Sequence, residues 1–154
     1  QQESAGNPSA IRFEPHLFNR KSKNGKVPFT AAEGKTFSLT SSETNKGAFE
    51  RAYNIDADAA VRSTSWGLGQ VLGGHLINLY GGPERGIEAF WGNPRKVSLE
   101  LIVEWIKANP RAVSAAKNKD FANFARIYNG RNYKMNNYDV KLEQGYNAAL
   151  AELA

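Results

Sequence analysis

Two carboxylates near the start of the chain, Glu3 and Glu14, are the best candidates for acid–base chemistry. Both have small or apolar neighbours and lie in an irregular segment rather than on a charge-mixed helical surface. An apolar, poorly hydrated setting raises the pKa of a carboxyl group, and a general acid requires such a raised pKa. Taken alone, a single glutamate is usually structural or solvated. Together with a sugar or another leaving group in reach, the two residues favour acid-catalysed bond cleavage.

Other kinds of chemistry lack the residues that they need. The chain has no cysteine, which excludes disulfides, thiolate metal sites and cysteine nucleophiles. His16 and His75 are far apart and have no third ligand at zinc spacing, so we expect both to be structural. The glycines between residues 67 and 74 lack the Lys-Ser/Thr pair of a phosphate loop, and no Gly-x-Ser-x-Gly elbow occurs. We therefore expect neither a metal nor an organic cofactor.

Length and composition indicate one folded domain. The 154 residues are 41% hydrophobic and 11% aromatic, which is sufficient for a core. No apolar stretch reaches the roughly 20 residues of a membrane helix, and the first residues do not resemble a signal peptide, so we expect a soluble chain without stable membrane insertion. The net charge of +5 suggests an anionic partner. Nucleic acid, a membrane surface and a bacterial envelope polymer are all anionic, and charge alone does not choose among them, although no nucleic-acid recognition module is evident.

The elements that must position the candidate residues are mostly helical. Residues 1–42 are rich in Gly, Pro, Ser, Asn and Lys, which predicts an irregular lobe with at most a small strand or hairpin. From residue 45 onward the apolar spacing is that of amphipathic helices. The predicted helices are 47–54, a helix capped by Asp56, 66–80, 83–91, a helix capped by Ser98 that Asn109-Pro110 stops, a helix headed by Asp120, and 138–153. These predict a mainly α bundle of six or seven helices with an irregular N-terminal lobe.

Four glycines within the predicted helix 66–80 require an explanation. Each costs up to about 1 kcal/mol in an isolated helix. Their neighbours in the sequence supply one, because three segments match blocks of known enzymes in the same order. The segments are Gln2-Glu3-Ser4-Ala5-Gly6, Ser63-Thr64-Ser65-Trp66-Gly67-Leu68-Gly69-Gln70-Val71-Leu72-Gly73 and Phe124-Ala125-Arg126-Ile127-Tyr128-Asn129-Gly130.

These segments resemble the Glu-Ser, Ser-x-Gly-Leu-x-Gln and Tyr-Asn-Gly blocks of lysozyme-like muramidases and lytic transglycosylases. Phe13-Glu14-Pro15-His16-Leu17-Phe18 and Ser65-Trp66-Gly67 add a closer resemblance to the N-acetylmuramidase domain of bacteriophage endolysins and related bacterial proteins. The resemblance extends from residue 2 to about residue 146. It implies a lysozyme-like α+β fold, with a helical bundle, a small N-terminal lobe and a saccharide groove.

The resemblance also assigns roles to individual residues. Glu3 matches the catalytic acid that protonates the glycosidic oxygen between N-acetylmuramic acid and N-acetylglucosamine. The segment 65–73 resembles a helix-opening segment that floors the groove, in which Ser65 and Gln70 would bind substrate and glycines admit the sugar. Tyr128 and Asn129 resemble an aromatic and amide pair that lines the groove. The alternative is a core tyrosine at a helix end capped by Gly130.

The role of Glu14 has more than one interpretation. An inverting glycosidase places a base about 6.5–9.5 Å from the acid, and Glu14 is the nearest candidate in the sequence. An ion pair with Arg12, Arg20 or His16, or an orienting role toward Glu3, is the alternative. A residue such as Thr64 or Ser65 could instead position the water, and some relatives use a single glutamate.

The whole-chain prediction is a peptidoglycan hydrolase that acts on glycan strands at the bacterial cell wall, in the periplasm or outside the cell, and is encoded by a phage or secreted by a bacterium. We expect a monomeric domain over residues 1–154 that lacks its first helix, because the family's catalytic glutamate ends a hydrophobic helix. A lytic transglycosylase and a non-catalytic wall-binding module are the alternatives. The basic residues between 111 and 134, which face only Asp120 in that range, mark either a groove edge or a solvated face.

Overall fold

The computed structural model describes residues 6–29 and 39–154 of the chain. Within these ranges the chain forms nine α-helices, one 3-10 helix and three β-strands. The helices are α1 (Pro15–Lys21), α2 (Leu39–Ile55), α3 (Ala57–Arg62), α4 (Gly74–Tyr80), α5 (Pro83–Gly92), α6 (Pro94–Lys107), α7 (Pro110–Lys117), α8 (Phe121–Asn129) and α9 (Tyr138–Leu153), and the 3-10 helix is Tyr133–Asn136. The strands are β1 (Ile11–Phe13), β2 (Thr64–Trp66) and β3 (Val71–Leu72).

The three strands form one antiparallel sheet in the order β1-β2-β3. Its register pairs Arg12 with Ser65, and Ser65 with Leu72. Residues that lie directly opposite each other project to the same face of a sheet. The outer face therefore carries Arg12, Ser65 and Leu72, and the inner face carries Ile11, Phe13, Thr64, Trp66 and Val71.

The chain divides into two compact units, Gln1–Glu104 and Trp105–Ala154. In the first unit, aromatic rings of the inner sheet face pack against helices. The fully buried Trp66 contacts Phe49 of α2 and Phe90 of α5, with ring centroids 5.6 and 4.9 Å apart. Phe13 contacts Phe18 of α1 at 6.0 Å and also Phe49 at 6.1 Å. These edge-on contacts join the sheet to three helices of this unit.

The second unit has a core of small and aromatic residues. Ala112, Ala115 and Ala125 are buried, which allows α7 and α8 to pack closely. The ring of Phe121 lies 5.6 Å from that of Tyr146 on α9. None of the helices in residues 6–29 and 39–154 is long and apolar enough to cross a bilayer.

Two predicted helix starts are confirmed. Asp56 accepts a hydrogen bond from the Ala59 amide at 3.0 Å, and this bond lowers the pKa of the Asp56 carboxyl group. Asp120 accepts a bond from the Asn123 amide at 3.1 Å. The mainly α fold class with its small sheet is also as predicted. The division into a single domain over residues 1–154 without its first helix stays a prediction.

The predicted helix over residues 66–80 is wrong in its first half. Residues 64–72 form a hairpin between β2 and β3, and only 74–80 is helical. Gly67 and Gln70 have φ values of 67° and 49°, in the left-handed region that ends a helix. Gly73 also has no room for a side chain, since a Cβ there would lie 1.9 Å from the Val61 carbonyl oxygen.

The predicted capping role of Ser98 is also wrong. Helix α6 begins at Pro94, which is four residues before Ser98. The Asn93 side chain accepts a hydrogen bond from the Lys96 amide at 3.2 Å and so caps the start of this helix. An Asn-Pro pair is a helix-start signal that applies equally at Asn109, whose side chain accepts from the Ala112 amide at 3.4 Å. Helix α7, which follows that pair, was therefore not predicted, and neither was α1.

Candidate active site

Glu14 forms an ion pair with Arg12, which lies opposite Ser65 on the outer face of the sheet. Glu14 follows β1, and its amide donates to the Ser63 carbonyl at 2.9 Å. Its Oε1 lies 3.2 Å from Nε of Arg12, and its Oε2 lies 3.5 Å from Nε2 of His16. The side chain is 19% exposed, so it has a fixed orientation and still reaches solvent. These contacts are those of the ion-pair interpretation, and the catalytic role of Glu14 stays a prediction.

Gln70 occupies the turn between β2 and β3 and ties this turn to the segment before β1. Its Nε2 donates to the Ala10 carbonyl at 3.2 Å and to the Gly67 carbonyl at 3.0 Å. The Gly67 amide donates to the same Ala10 oxygen at 2.8 Å. The amide nitrogen of Gln70 is thus committed to the backbone. Its Oε1 is buried without a hydrogen-bond partner in the described ranges, which leaves an acceptor for another group.

Ser98 of α6 is a second anchor of the same turn. The residue is fully buried, its hydroxyl donates to the Pro8 carbonyl at 3.2 Å, and it accepts from the Leu68 amide at 3.2 Å. Gly67 packs directly on it, because a Cβ at Gly67 would lie 2.0 Å from Oγ of Ser98. We define the anchored turn as the described residues 6–10 and 67–70 with Ser98. In this turn, residues 8 and 10 are bonded to Ser98 and to the glycine-bearing hairpin.

Asn45 of α2 fixes the end of β1. Its Oδ1 accepts from the Phe13 amide at 2.9 Å, and its Nδ2 donates to the Phe13 carbonyl at 2.7 Å. The residue is only 7% exposed. Because Phe13 directly precedes Glu14, this pair of bonds sets the direction in which the backbone of Glu14 leaves the sheet.

Tyr128 and Asn129 lie at the end of α8 in the second unit. The Tyr128 ring lies 4.6 Å from that of Trp105 and 6.0 Å from that of Phe124, and burial raises the pKa of Tyr128 to about 12. Asn129 is exposed. Gly130 ends the helix with φ of 83°, and its amide donates to the Arg126 carbonyl at 2.9 Å, so the predicted C-cap is confirmed.

Glu14, Ser65 and Gln70 all belong to the first unit, where Ser65 lies in β2, Glu14 follows β1 and Gln70 lies in the turn before β3. Tyr128 and Asn129 form one helix end in the second unit. Glu3 lies outside the described residues. His16 lies beside Glu14, and His75 lines a cavity of about 290 Å³ next to Leu72. Across the described part of the chain, no group of three or more His, Cys, Asp or Glu residues could hold a metal ion.

The comparisons with known proteins decide the family. The family model for N-acetylmuramidase matches residues 3–150. The chain belongs to the N-acetylmuramidase family. The crystal structure of Burkholderia AP3 phage endolysin is similar, with a TM-score of 0.71 and 25% sequence identity over 93% of this chain. No curated protein matches the chain.

These findings confirm the resemblance that the sequence blocks indicated, including the glycoside hydrolase class of the family. The N-acetylmuramidase match begins at Glu3, within the first block, and spans the other two blocks completely. The chain covers 57% of the endolysin chain to which it is similar.

Sequence reasoning missed two residues that shape this site, Asn45 and Ser98. Asn45 lies 32 positions from Phe13, and Ser98 lies 90 positions from Pro8. A single sequence gives no local signal for bonds of this length. Ser98 is fully buried, as are Val97 and Leu101 of the same helix. This burial distinguishes Ser98 from a helix cap, and it is seen only in the structure.

Proposed function

We propose that this chain hydrolyses the glycosidic bond between N-acetylmuramic acid and N-acetylglucosamine in peptidoglycan, with Glu3 as the general acid. The observation that carries the proposal is the family match, which covers residues 3–150 and begins at this glutamate. A positioned carboxylic acid that protonates the leaving oxygen contributes about 10²–10⁴-fold in rate.

The anchored turn supports the role of Glu3 through chain connectivity. Three peptide units separate Glu3 from Gly6, so their Cα atoms are within about 11 Å of each other. The following residues are held by Gln70 and Ser98 through Ala10 and Pro8. The Oε1 of Gln70, which has no hydrogen-bond partner among the described residues, is a buried acceptor that suits a protonated carboxyl group or a sugar N–H.

Glu14 is proposed to hold the attacking water on the outer sheet face. Arg12 and His16 orient its two carboxylate oxygens, and the Ser65 hydroxyl lies on the same face as Arg12. In this proposal Ser65 and Gln70 bind the saccharide from the first unit. The substrate-binding role of Tyr128 and Asn129 stays a prediction from their resemblance to the groove-lining pair of the family.

The proposed setting is the bacterial cell wall, with glycan strands as the partner of a monomeric enzyme. The net charge of +5 favours encounter with anionic wall polymers at low salt. The reaction needs no cofactor in this proposal, because the carboxylates supply the proton transfers.

The test is lysis of purified peptidoglycan by Glu3→Gln, which keeps the shape of the side chain and removes its proton. We expect a loss of at least about 100-fold in kcat. Glu152→Gln, an exposed change near the end of α9, is the matched control and should retain wild-type activity. Full lysis by Glu3→Gln would refute the assignment.

Mass spectrometry of the digest separates the related reactions. New reducing ends are expected from hydrolysis, whereas 1,6-anhydromuramic ends would show that the muramic 6-hydroxyl replaced water. Glu14→Gln should lower hydrolysis strongly if Glu14 activates the water. Unchanged kcat in Glu14→Gln would leave only the ion-pair role for this residue.

A further inference from the structure

The first unit contains a larger cavity that lies outside the anchored turn. This cavity, which we call the α2–α5 cleft, has a volume of about 660 Å³, within the range of about 300–1,000 Å³ typical of small-molecule sites. Its lining includes residues of α2, residues of α5 and Ile11 of β1. None of its lining residues belongs to the sequence blocks that identify the family.

One wall of the cleft presents an exposed aromatic surface. Trp91 at the end of α5 is 42% exposed, while the adjacent Phe90 is buried in the core. The rings of these two residues meet edge-on at 5.0 Å. Lys46 of α2 places its Nζ 5.5 Å from the centre of the Trp91 ring. A half-exposed indole is a suitable platform for the C–H face of a pyranose ring.

The same walls carry closely spaced hydrogen-bonding groups. Glu50 and Asn54 are four residues apart on α2, and Glu84 and Glu88 are four residues apart on α5, so each pair shares a helix face. Carboxylate and amide oxygens accept bonds from hydroxyl and amide N–H groups. Within residues 6–29 and 39–154, none of the three glutamates takes part in an ion pair.

The hydroxyl of Tyr53 adds a further polar group between these walls. Tyr53 and Glu84 both line the cleft, and burial together with the negative charge of Glu84 raises the pKa of Tyr53. The phenol therefore stays protonated at neutral pH and keeps its donor. An aromatic platform with a few convergent polar groups is typical of ligand sites.

The charge of the cleft limits what it can hold. Three glutamates face one lysine, in a chain whose overall charge is +5. A saccharide that carries its own carboxylate, as muramic acid does, would be repelled here. An uncharged N-acetylated pyranose would be accepted, because its hydroxyl and amide groups donate to carboxylates.

The cleft is also connected to the anchored turn through the backbone. Ile11 lines the cleft, and the carbonyl of its neighbour Ala10 receives the bonds from Gln70 and Gly67. We propose that the α2–α5 cleft is a second saccharide subsite, which binds an N-acetylglucosamine unit of the glycan strand and excludes muramic acid. This inference rests on the proposed function, since it takes the glycan strand as the ligand.

Calorimetric titration with the tetramer of N-acetylglucosamine tests the cleft without requiring catalysis. Trp91→Ala should weaken binding by about tenfold, because the platform is lost. Tyr53→Phe, which removes a single hydroxyl, should weaken it about threefold. Leu99→Ala removes an exposed apolar side chain of α6 outside the cleft and is the matched control, with unchanged affinity expected. Wild-type affinity in both cleft variants would overturn the proposal.

The charge argument has its own test. In the double variant Glu84→Gln and Glu88→Gln, affinity for a tetrasaccharide that contains muramic acid should rise severalfold, while affinity for the N-acetylglucosamine tetramer stays within about twofold. An equal change for both ligands would contradict the exclusion of muramic acid. These binding results are independent of the Glu3→Gln lysis assay. The cleft can therefore fail while the hydrolase assignment stands, and the reverse also holds.

Discussion

At the scale of single residues, the described site depends on buried side chains that bond to distant backbone. Asn45 supplies both partners of the Phe13 peptide groups, which point away from β2. It thus takes the place of a fourth strand at the edge of the sheet. The position of Glu14 follows from this contact, because it is the next residue along the chain.

Asn45→Ala should destabilise the first unit by about 3 kcal/mol, since a buried donor and a buried acceptor each lose their partner. Urea denaturation followed by circular dichroism measures this difference. Asn78→Ala, an exposed change on α4, is the matched control and should stay within about 0.5 kcal/mol of the parent. A similar small loss in both variants would show that water replaces the Asn45 side chain.

Residues with local partners could be predicted from the sequence, and residues with distant partners could not. Asp56 and Asp120 cap helices through amides three positions ahead, so the pattern alone identified them. The interpretation of Ser98 as a cap used the same local rule and was wrong. Its two hydrogen-bond partners, Leu68 and Pro8, are distant in the sequence and are brought to Ser98 by the tertiary fold. A rule that uses only neighbouring residues cannot predict such contacts.

At the scale of elements, the hairpin of residues 64–72 shows how glycines override an apolar stripe. The spacing of Leu68, Val71 and Leu72 suits a helix, but two residues of the turn have positive φ. The sequence suggested that these glycines let a substrate approach the backbone. In the structure, two of them are required because neighbouring atoms leave no room for a side chain. Gly67 accommodates Ser98, and Gly73 accommodates the Val61 carbonyl oxygen and the Trp66 indole.

Two alanine substitutions should therefore have opposite effects on stability. Gly73→Ala places a Cβ 1.9 Å from backbone and should destabilise by about 1–3 kcal/mol or more. Gly145→Ala lies within α9 with no atom in the way and should stabilise by up to about 1 kcal/mol. Thermal unfolding of the two variants beside the parent gives both signs. A stable Gly73→Ala protein would mean that the hairpin can move away from α3.

At the scale of the whole molecule, most of the net positive charge belongs to the second unit. The second unit, Trp105–Ala154, has eight basic and four acidic residues, while the first has twelve basic and eleven acidic residues. The second unit thus accounts for four of the five net charges. The family itself could be recognised from the sequence because each of its three blocks is a short run of consecutive residues. The charge distribution acquires meaning only once the two units are defined.

Charge-removing variants test whether this asymmetry aids binding to the wall. The triple variant Lys117→Gln, Lys119→Gln and Lys134→Gln should bind isolated sacculi severalfold more weakly at about 20 mM salt, and the difference should vanish near 0.5 M. Co-sedimentation with sacculi gives both values. The control removes the same charge from the first unit, as Lys21→Gln, Lys23→Gln and Lys26→Gln, and should have a smaller effect. Equal losses would show that only total charge matters.

The placement of the three tryptophans gives the protein a set of built-in reporters. Trp66 is fully buried in the core of the first unit, and Trp91 lines the α2–α5 cleft. Trp105 packs against Tyr128 in the second unit. Fluorine labelling of the indoles would therefore give three resonances with separate meanings in one sample. Heating would show whether Trp66 and Trp105 melt together, and sugar titration would shift Trp91 alone.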